Sequence, residues 1–524
     1  MPLSPVLIAG LFSALLVQAL PLSAKAEKEK PLNVLFISAD DLRPSLGCYG
    51  DPVAITPHID RLAKQGLVFN RAYCQQAVCS PSRTSLMTGL RPETTRVFDL
   101  KTDFRDTVPD VVTLPQLFRH HGYHSQAVGK IYHSVKSYSL GDDSLDDEPS
   151  WSVPGWLPQL HYYHTPEGMQ IAEKWFNSNR KSLLKRYPRL ESQTWKDAVI
   201  RGLPRESPDV PDESVSDAQI TTRAIEILNE KKDEPFFLAV GFLKPHVPFV
   251  APKRYFDMYP LDKISSVPNP YFPKGAPKFA GINSREMRVY HGIPKKGPVA
   301  GEEEARELYR AYYACVSFID AQVGRLLDEL DRLNLRDNTI VILWGDHGYH
   351  LGENGIWCKQ TNFELSTRVP LIISSPNQKV KGARTDALVE LVDIYPTLAE
   401  LCELPLPESL EGLSFKPLLN DPERPWKTAA FSLYPRNVSG KGRVMGRSMK
   451  TERYRFTEWT NSKGDFRVVE LYDHQNDSEE NQNVANLPEN RELIKKLTKR
   501  LRAGWKIALP PERSGESEKN TKNE

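Results

Sequence analysis

The sequence predicts an α/β protein built on a mixed, mostly parallel sheet with helices on both faces. Short runs of β-type apolar residues recur along the chain, and helical patterns lie between them. Each of four such runs also ends in charged residues or histidine. In sheets of this kind ligands bind outside the carboxyl ends of the strands, so one edge is expected to collect those side chains.

The elements follow in chain order. An apolar run from Val6 to Leu20 is shorter than the roughly 20 residues that span a bilayer. Ala24-Lys25-Ala26 follows as a small-x-small cleavage pattern, so residues 1–26 read as a secretory signal peptide. That predicts export, with no stable membrane insertion after cleavage. "NVLFISADDL" supplies a strand from Val34 to Ile37 that ends at Asp40-Asp41. "AVCSPSRTSLMTG", residues 77–89, reads as a loop entering a helix, with Ser80 as N-cap, Pro81 at the first helical position and Gly89 as the stop. Cys79 then sits at the positive end of a helix, where a thiol pKa falls and a nucleophile results. A small buried hydrophobe ahead of a helix is the other reading, and this stretch alone supports both.

"TLPQLFRHHG" reads as a helix, and "HSQAVGKIYH" as a strand ending at Lys130 and His133. "PFFLAVGFLKPH" ends at Lys244 and His246, and "TIVILWGDHG" at Asp346-His347. Between them "SFIDAQVGRLLDELDRL" has apolar residues at helical spacing. A smaller α+β unit, about 426–510, carries the strand-like "GRSMKTERYRFTEWT" and "FRVVELYD" and the helix "NRELIKKLTKRLRAGW". Residues 511–524 are polar and charged and read as a disordered tail.

Composition narrows the class. The 524 residues carry a net charge of +2 with both signs abundant, so nothing argues for nucleic acid. Hydrophobic residues make up 40%, enough for a large core, so the 42 prolines indicate ordered connections rather than a disordered chain. Six cysteines at irregular spacing form neither a disulfide framework nor a zinc pattern.

The strand ends make a coherent chemistry. Asp40, Asp41 and Asp346 offer the hard oxygen ligands of Ca²⁺ or Mg²⁺, and His347 adds a nitrogen. Such a metal with Lys130, Lys359 and Arg83 stabilises charge on a transferred sulfuryl or phosphoryl group. Two histidines supply the acid and the base. The expected reaction is hydrolysis of a tetrahedral anionic ester.

"CSPSRTSLMTG" resembles the Cys-type signature of the formylglycine-dependent sulfatase family, C-x-P-S-R followed by Thr-Gly. The resemblance extends over nearly the whole mature chain. "DDLRPSLGCYGD", "RPETTRVFDL", "FFLAVGFLKPHVPF" and "DHGYHLGENGIWCKQTNFELSTRVPLI" look most like the iduronate-2-sulfatase branch. It implies an alkaline-phosphatase-like domain over about 31–425. It also implies that a formylglycine-generating or sulfatase-maturating enzyme oxidises Cys79, whose aldehyde hydrate then serves as nucleophile. By resemblance, Asp40, Asp41, Asp346, His347 and the modified Cys79 bind Ca²⁺, with Mg²⁺ as runner-up. Arg83 holds the hydrate, and Lys130, His133, His246 and Lys359 contact the sulfate. His246 is then the acid for the leaving alcohol and His133 the base.

The implied substrate is a sulfated glycan, a 2-O-sulfated iduronate or similar uronic acid. A physical expectation runs alongside: Arg83, Lys130, Lys244 and Lys359 carry more positive charge than one sulfate requires, and a neighbouring carboxylate would use the surplus. The chain departs from the family at Asn354, where a histidine is common, which is expected to alter the pocket rim. Residues 138–210, with "WSVPGWLPQLHYYHTPEG" and "NRKSLLKRYPRL", match the family poorly and read as a surface insertion or a glycan contact. The alternatives are a phosphodiesterase or phosphonate-ester hydrolase on the same scaffold, or a non-catalytic glycan-binding protein.

Overall fold

Strand β1, Asn33–Asp40, is buried on both faces because its residues alternate between two cores. Val34 and Phe36 pack with Phe237, Ile342 and Trp344 on one side. Leu35 and Ile37 pack with Leu238, Val240 and Leu343 on the other. The computed structural model describes residue 1 and residues 30–133, 147–158, 162–186 and 201–510. The signal-peptide and tail readings, 1–26 and 511–524, therefore lie outside the described residues, as does part of 138–210.

The other strands of this sheet are β2 (Leu67–Phe69), β3 (His124–Gly129), β4 (Phe236–Pro245), β5 (Thr339–Gly345), β6 (Leu371–Ser374) and β7 (Ala383–Thr385). Their spatial order is β7-β2-β6-β5-β1-β4-β3. β1 runs parallel to β4 and β5, and β3 parallel to β4. β6 runs antiparallel to β5 and β2. The mixed, mostly parallel sheet read from the sequence is present, and its four parallel neighbours β3, β4, β1 and β5 are the four runs with polar ends.

Helices cover both faces. α1 is Pro57–Gln65, α2 Cys79–Thr88, α3 Leu114–His120, α4 Pro166–Arg186, α5 Ser216–Lys231 and α6 Glu302–Arg332. α3 starts at a capping box, in which Thr113 accepts from the Gln116 backbone and the Gln116 side chain returns to the Thr113 N–H. α6 opens with Glu302, Glu303 and Glu304 at its positive end and buries Leu308, Tyr312, Ile319 and Leu326 against the sheet. No helix among the described residues is long and apolar enough to cross a membrane.

α2 corrects one reading. It begins at Cys79 with Val78 as N-cap, so Ser80 and Pro81 lie inside its first turn and no side chain caps it. Gly89 does end it, at φ 68°.

After α7 (Ile394–Leu401) comes an antiparallel sheet of β8 (Ala429–Val438), β9 (Gly442–Thr451), β10 (Tyr454–Asn461) and β11 (Arg467–Asp473). Helix α8, Arg491–Ala503, buries Leu497 and Leu501 against Met449, Phe456 and Leu471 of this sheet.

Candidate active site

The carboxyl ends of β1, β3, β4 and β5 and the first residue of α2 meet around one cavity of about 600 Å³. Its lining includes Asp40, Cys79, Lys130, His133, Lys244, His246 and Lys359. Asp41, Arg83, Asp346 and His347 lie fully buried around it.

The backbone fixes this floor. β3 ends at Gly129, φ 80°, paired with Gly241 of β4. A Cβ on Gly241 would stand 1.9 Å from the Lys130 carbonyl oxygen, and one on Gly129 would stand 2.1 Å from the Gly241 oxygen. The two glycines permit that approach, and the Lys130 N–H donates to Gly241 O at 2.8 Å. The Lys130 and Ile131 carbonyls each accept from Arg83 Nη1 at 2.8 Å. Asp41 takes a left-handed φ of 64°, which a short acidic side chain tolerates, and its N–H donates to Asp346 Oδ1 at 3.1 Å. Lys359 sits between two further left-handed residues, Cys358 at φ 79° and Gln360 at φ 76°. Concentrated backbone strain of this kind is typical of a site whose geometry is held by its surroundings.

Asp40, Asp41, Cys79 and His347 bring one ligand atom each within 4.8 Å of one another. Cys79 Sγ lies 3.4 Å from Asp40 Oδ1 and 3.3 Å from His347 Nε2. Asp346 stands just behind them, with Oδ2 accepting from Arg83 Nε at 2.9 Å and lying 3.6 Å from His347 Nε2. Lys130 ion-pairs with Asp40, and Lys359 contacts Asp41 Oδ1 at 2.8 Å. Burial alone would lower both lysines, but Asp40 beside one and Asp41 with Glu286 beside the other outweigh it and keep both charged.

Three sequence expectations change here. The Cys79 thiol is not activated by its helix start: burial, then the neighbouring Asp40, pushes it well above its ordinary value despite Lys130 and Lys359. The surplus of positive charge is also absent from the four cations named. Arg83 and the lysines 130 and 359 are taken by carboxylates, and Lys244 Nζ donates to the carbonyls of His246 at 3.1 Å and Pro248 at 2.7 Å. Asn354 does not reach the rim; it is buried at φ 54° and its Nδ2 donates to Glu479 O at 3.0 Å.

Sequence reasoning missed Glu286, whose Oε1 lies 2.9 Å from Lys359 Nζ and 3.0 Å from His246 Nε2. It lies on a four-residue helix, Arg285–Arg288, away from any strand end, so no local pattern marked it. Burial would raise its carboxyl, but Lys359 and His246 outweigh that and hold it well below its ordinary value. The walls hold further unanticipated residues: Phe98, Tyr162, Arg201 and, from β8, Tyr434. Tyr162 and Arg201 come from the poorly matching segment, whose aromatic and basic character was the available signal.

Comparison with known proteins agrees with this architecture. The family model described as Sulfatase matches residues 32–404, and one described as N-sulphoglucosamine sulphohydrolase, C-terminal, matches residues 352–506. The chain is 34% identical to the iduronate 2-sulfatase of Mus musculus, over 89% of this chain and 93% of that protein. It is 33% identical to a sulfatase of Formosa agariphila, over 91% of this chain and 88% of that one. The solved phosphonate monoester hydrolase of Agrobacterium radiobacter shares the fold, with a TM-score of 0.67 over 90% of this chain and 95% of that one at 24% identity. With the C-x-P-S-R motif opening α2 at the floor of the cavity and a family model covering most of its length, the chain belongs to the sulfatase family and is a sulfuric ester hydrolase.

Proposed function

We propose that the protein is an exported glycan sulfatase that removes the 2-O-sulfate of a uronic acid, iduronate or a similar residue, at a chain end. The observation that carries the substrate is the long likeness to iduronate 2-sulfatase, at 34% identity over 89% of the chain. The apolar amino terminus with its small-x-small motif supports export.

The donor set fits a divalent cation. Asp40, Asp41, Cys79 and His347 already converge, and the two carboxylates carry lysine ammoniums as counter-ions. We assign these residues, with Asp346, to Ca²⁺, or failing that Mg²⁺. When bound, the cation draws negative charge from the sulfate oxygens. Formylglycine, made from Cys79 by a formylglycine-generating or sulfatase-maturating enzyme, would supply there the oxygen nucleophile that a raised-pKa thiol does not.

The remaining roles belong to the chain's own side chains. Lys130 and Lys359 hold the sulfate from opposite carboxylates and stabilise charge developing on it. Arg83, locked between Asp346 and two carbonyls, orients residue 79. His246, whose Nε2 faces Glu286 at 3.0 Å, gives the proton to the departing alcohol. Burial and Lys130 push His133 well below its ordinary value, so its imidazole is neutral near pH 7 and is the base in this reading.

Sulfate release from 2-O-sulfated uronate oligosaccharides, compared with carboxyl-free sulfated galactans and fucans and with aryl phosphate, tests the reading. Faster release from the uronates is expected. Preference for the carboxyl-free glycans overturns the substrate, and preference for the phosphate overturns the reaction.

A further inference from the structure

Arg201 differs from the four cations anticipated at this cavity. It lines the wall, partly buried, and among the described residues its one hydrogen bond runs from Nη1 to the Tyr290 hydroxyl at 2.8 Å. Its guanidinium also lies over the Tyr290 ring, 5.4 Å from the centroid. Among the described residues no carboxylate lies within ion-pair distance of it. A guanidinium has five N–H donors in a rigid fork, and withdrawing it from water without an anionic partner is unfavourable. Tyr290 holds the side chain, and among the described residues the rest of that fork has no hydrogen-bond partner.

Glu286 lies within electrostatic range of Arg201, which puts the guanidinium on the side of the cavity where Glu286 holds Lys359 and His246. An acidic group beside the scissile sulfate would meet Arg201 there, while Tyr162 and Phe98 supply flat apolar wall for a sugar ring. A planar carboxylate matches the fork with two parallel hydrogen bonds, which an ammonium does not reproduce.

We infer that Arg201 is the specificity-determining residue that binds the carboxylate of the sulfated uronic acid. This rests on the uronate reading of the substrate. It assigns recognition to the segment that departs from the family, whereas the chemistry belongs to the strand ends.

The test uses the matured full-length enzyme and two substrates, a 2-O-sulfated uronate disaccharide and its carboxyl-reduced counterpart, in which CH₂OH replaces the carboxylate. The readout is the ratio of their kcat/KM values. The wild type is expected to favour the acid by about 10- to 100-fold, the usual range for a hydrogen-bonded charge pair. Arg201→Gln is expected to bring the ratio close to one, mainly through a higher KM for the acid. Arg201→Lys, which keeps the charge but not the fork, should fall between and decides the matter if the glutamine variant does not fold. A ratio unchanged by either substitution, with both substrates slowed alike, means a purely structural role and overturns the inference. A wild type that treats both substrates alike overturns the uronate reading itself, and the inference with it.

Discussion

Lys359 rests its ammonium on both carboxylate oxygens of Asp41, at 2.8 and 3.0 Å. Both groups are almost fully buried, so each replaces water around the other's charge. Lys359→Ala removes a preorganised positive charge from the transition state and is expected to lower kcat/KM by about 100- to 1000-fold. Steady-state turnover of an aryl sulfate checks it, and a loss below tenfold contradicts the role.

Glu286 holds Lys359 and His246 through a single oxygen. Glu286→Gln keeps the shape and removes the charge, so His246 loses its near carboxylate and Lys359 keeps only Asp41. Activity is expected to fall about 10- to 100-fold, the range found when a partner that orients a functional side chain is removed. The measurement is kcat with the folded variant, its melting temperature confirming that the loss is not unfolding.

Cys79 is buried and its thiol is held protonated, so turnover should require its conversion. Protein made together with a formylglycine-generating enzyme should show an aldehyde and no alkylatable thiol at position 79 by peptide mass analysis. Protein made without conversion should retain the thiol and release no sulfate. Full activity with an unmodified Cys79 rules the mechanism out.

Chelation should destabilise the protein and restoration of Ca²⁺ should reverse it. A ligand at 100 times its Kd adds about 2.7 kcal/mol to the folded state. Asp40→Asn should abolish this calcium-dependent rise in melting temperature. Stoichiometric zinc in protein purified without added ions would contradict the assignment.

Acid should weaken one specific contact. Glu353 is buried and pairs with Arg43 at 2.7 Å, and although burial opposes it, Arg43 and the Tyr309 hydroxyl bring its pKa down to about 2. A carboxyl depressed on folding contributes stability that is complete above its unfolded pKa, near 4.5, and is lost as pH falls toward 2. The contribution is about 3 kcal/mol. Denaturant unfolding from pH 6 to pH 2 should show this loss in the wild type, and Glu353→Gln should be less stable at pH 6 with a gap that closes as pH falls. A gap independent of pH contradicts the assignment.

The sheet and most of the floor of the site were legible because they follow from local pattern. Alternation and β-type composition mark β1, β3, β4 and β5, and chain continuity alone puts Asp40 at the end of its strand and Lys130, His246 and Asp346 just past theirs. The electrostatic state of Cys79 was not legible: a helix start is visible in sequence, whereas the burial and the Asp40 carboxylate that override it come from a distant strand. Glu286, Arg201 and Tyr434 were missed for a related reason. Each reaches the cavity from a loop, a short helix or a second sheet, so its position depends on packing between segments far apart in the chain.

The wall formed by Tyr434 has a consequence for protein engineering. That residue sits on β8, whose neighbour Arg436 lies over its ring at 4.3 Å and donates to Phe279 O at 2.9 Å. A chain cut before β8 would keep Cys79 and the lysines but lose the Tyr434 part of the pocket wall. Recombining two family members at that junction would therefore transfer part of the pocket wall together with the carboxyl-terminal sheet, and the chimera would inherit its reaction from one parent and part of its substrate fit from the other.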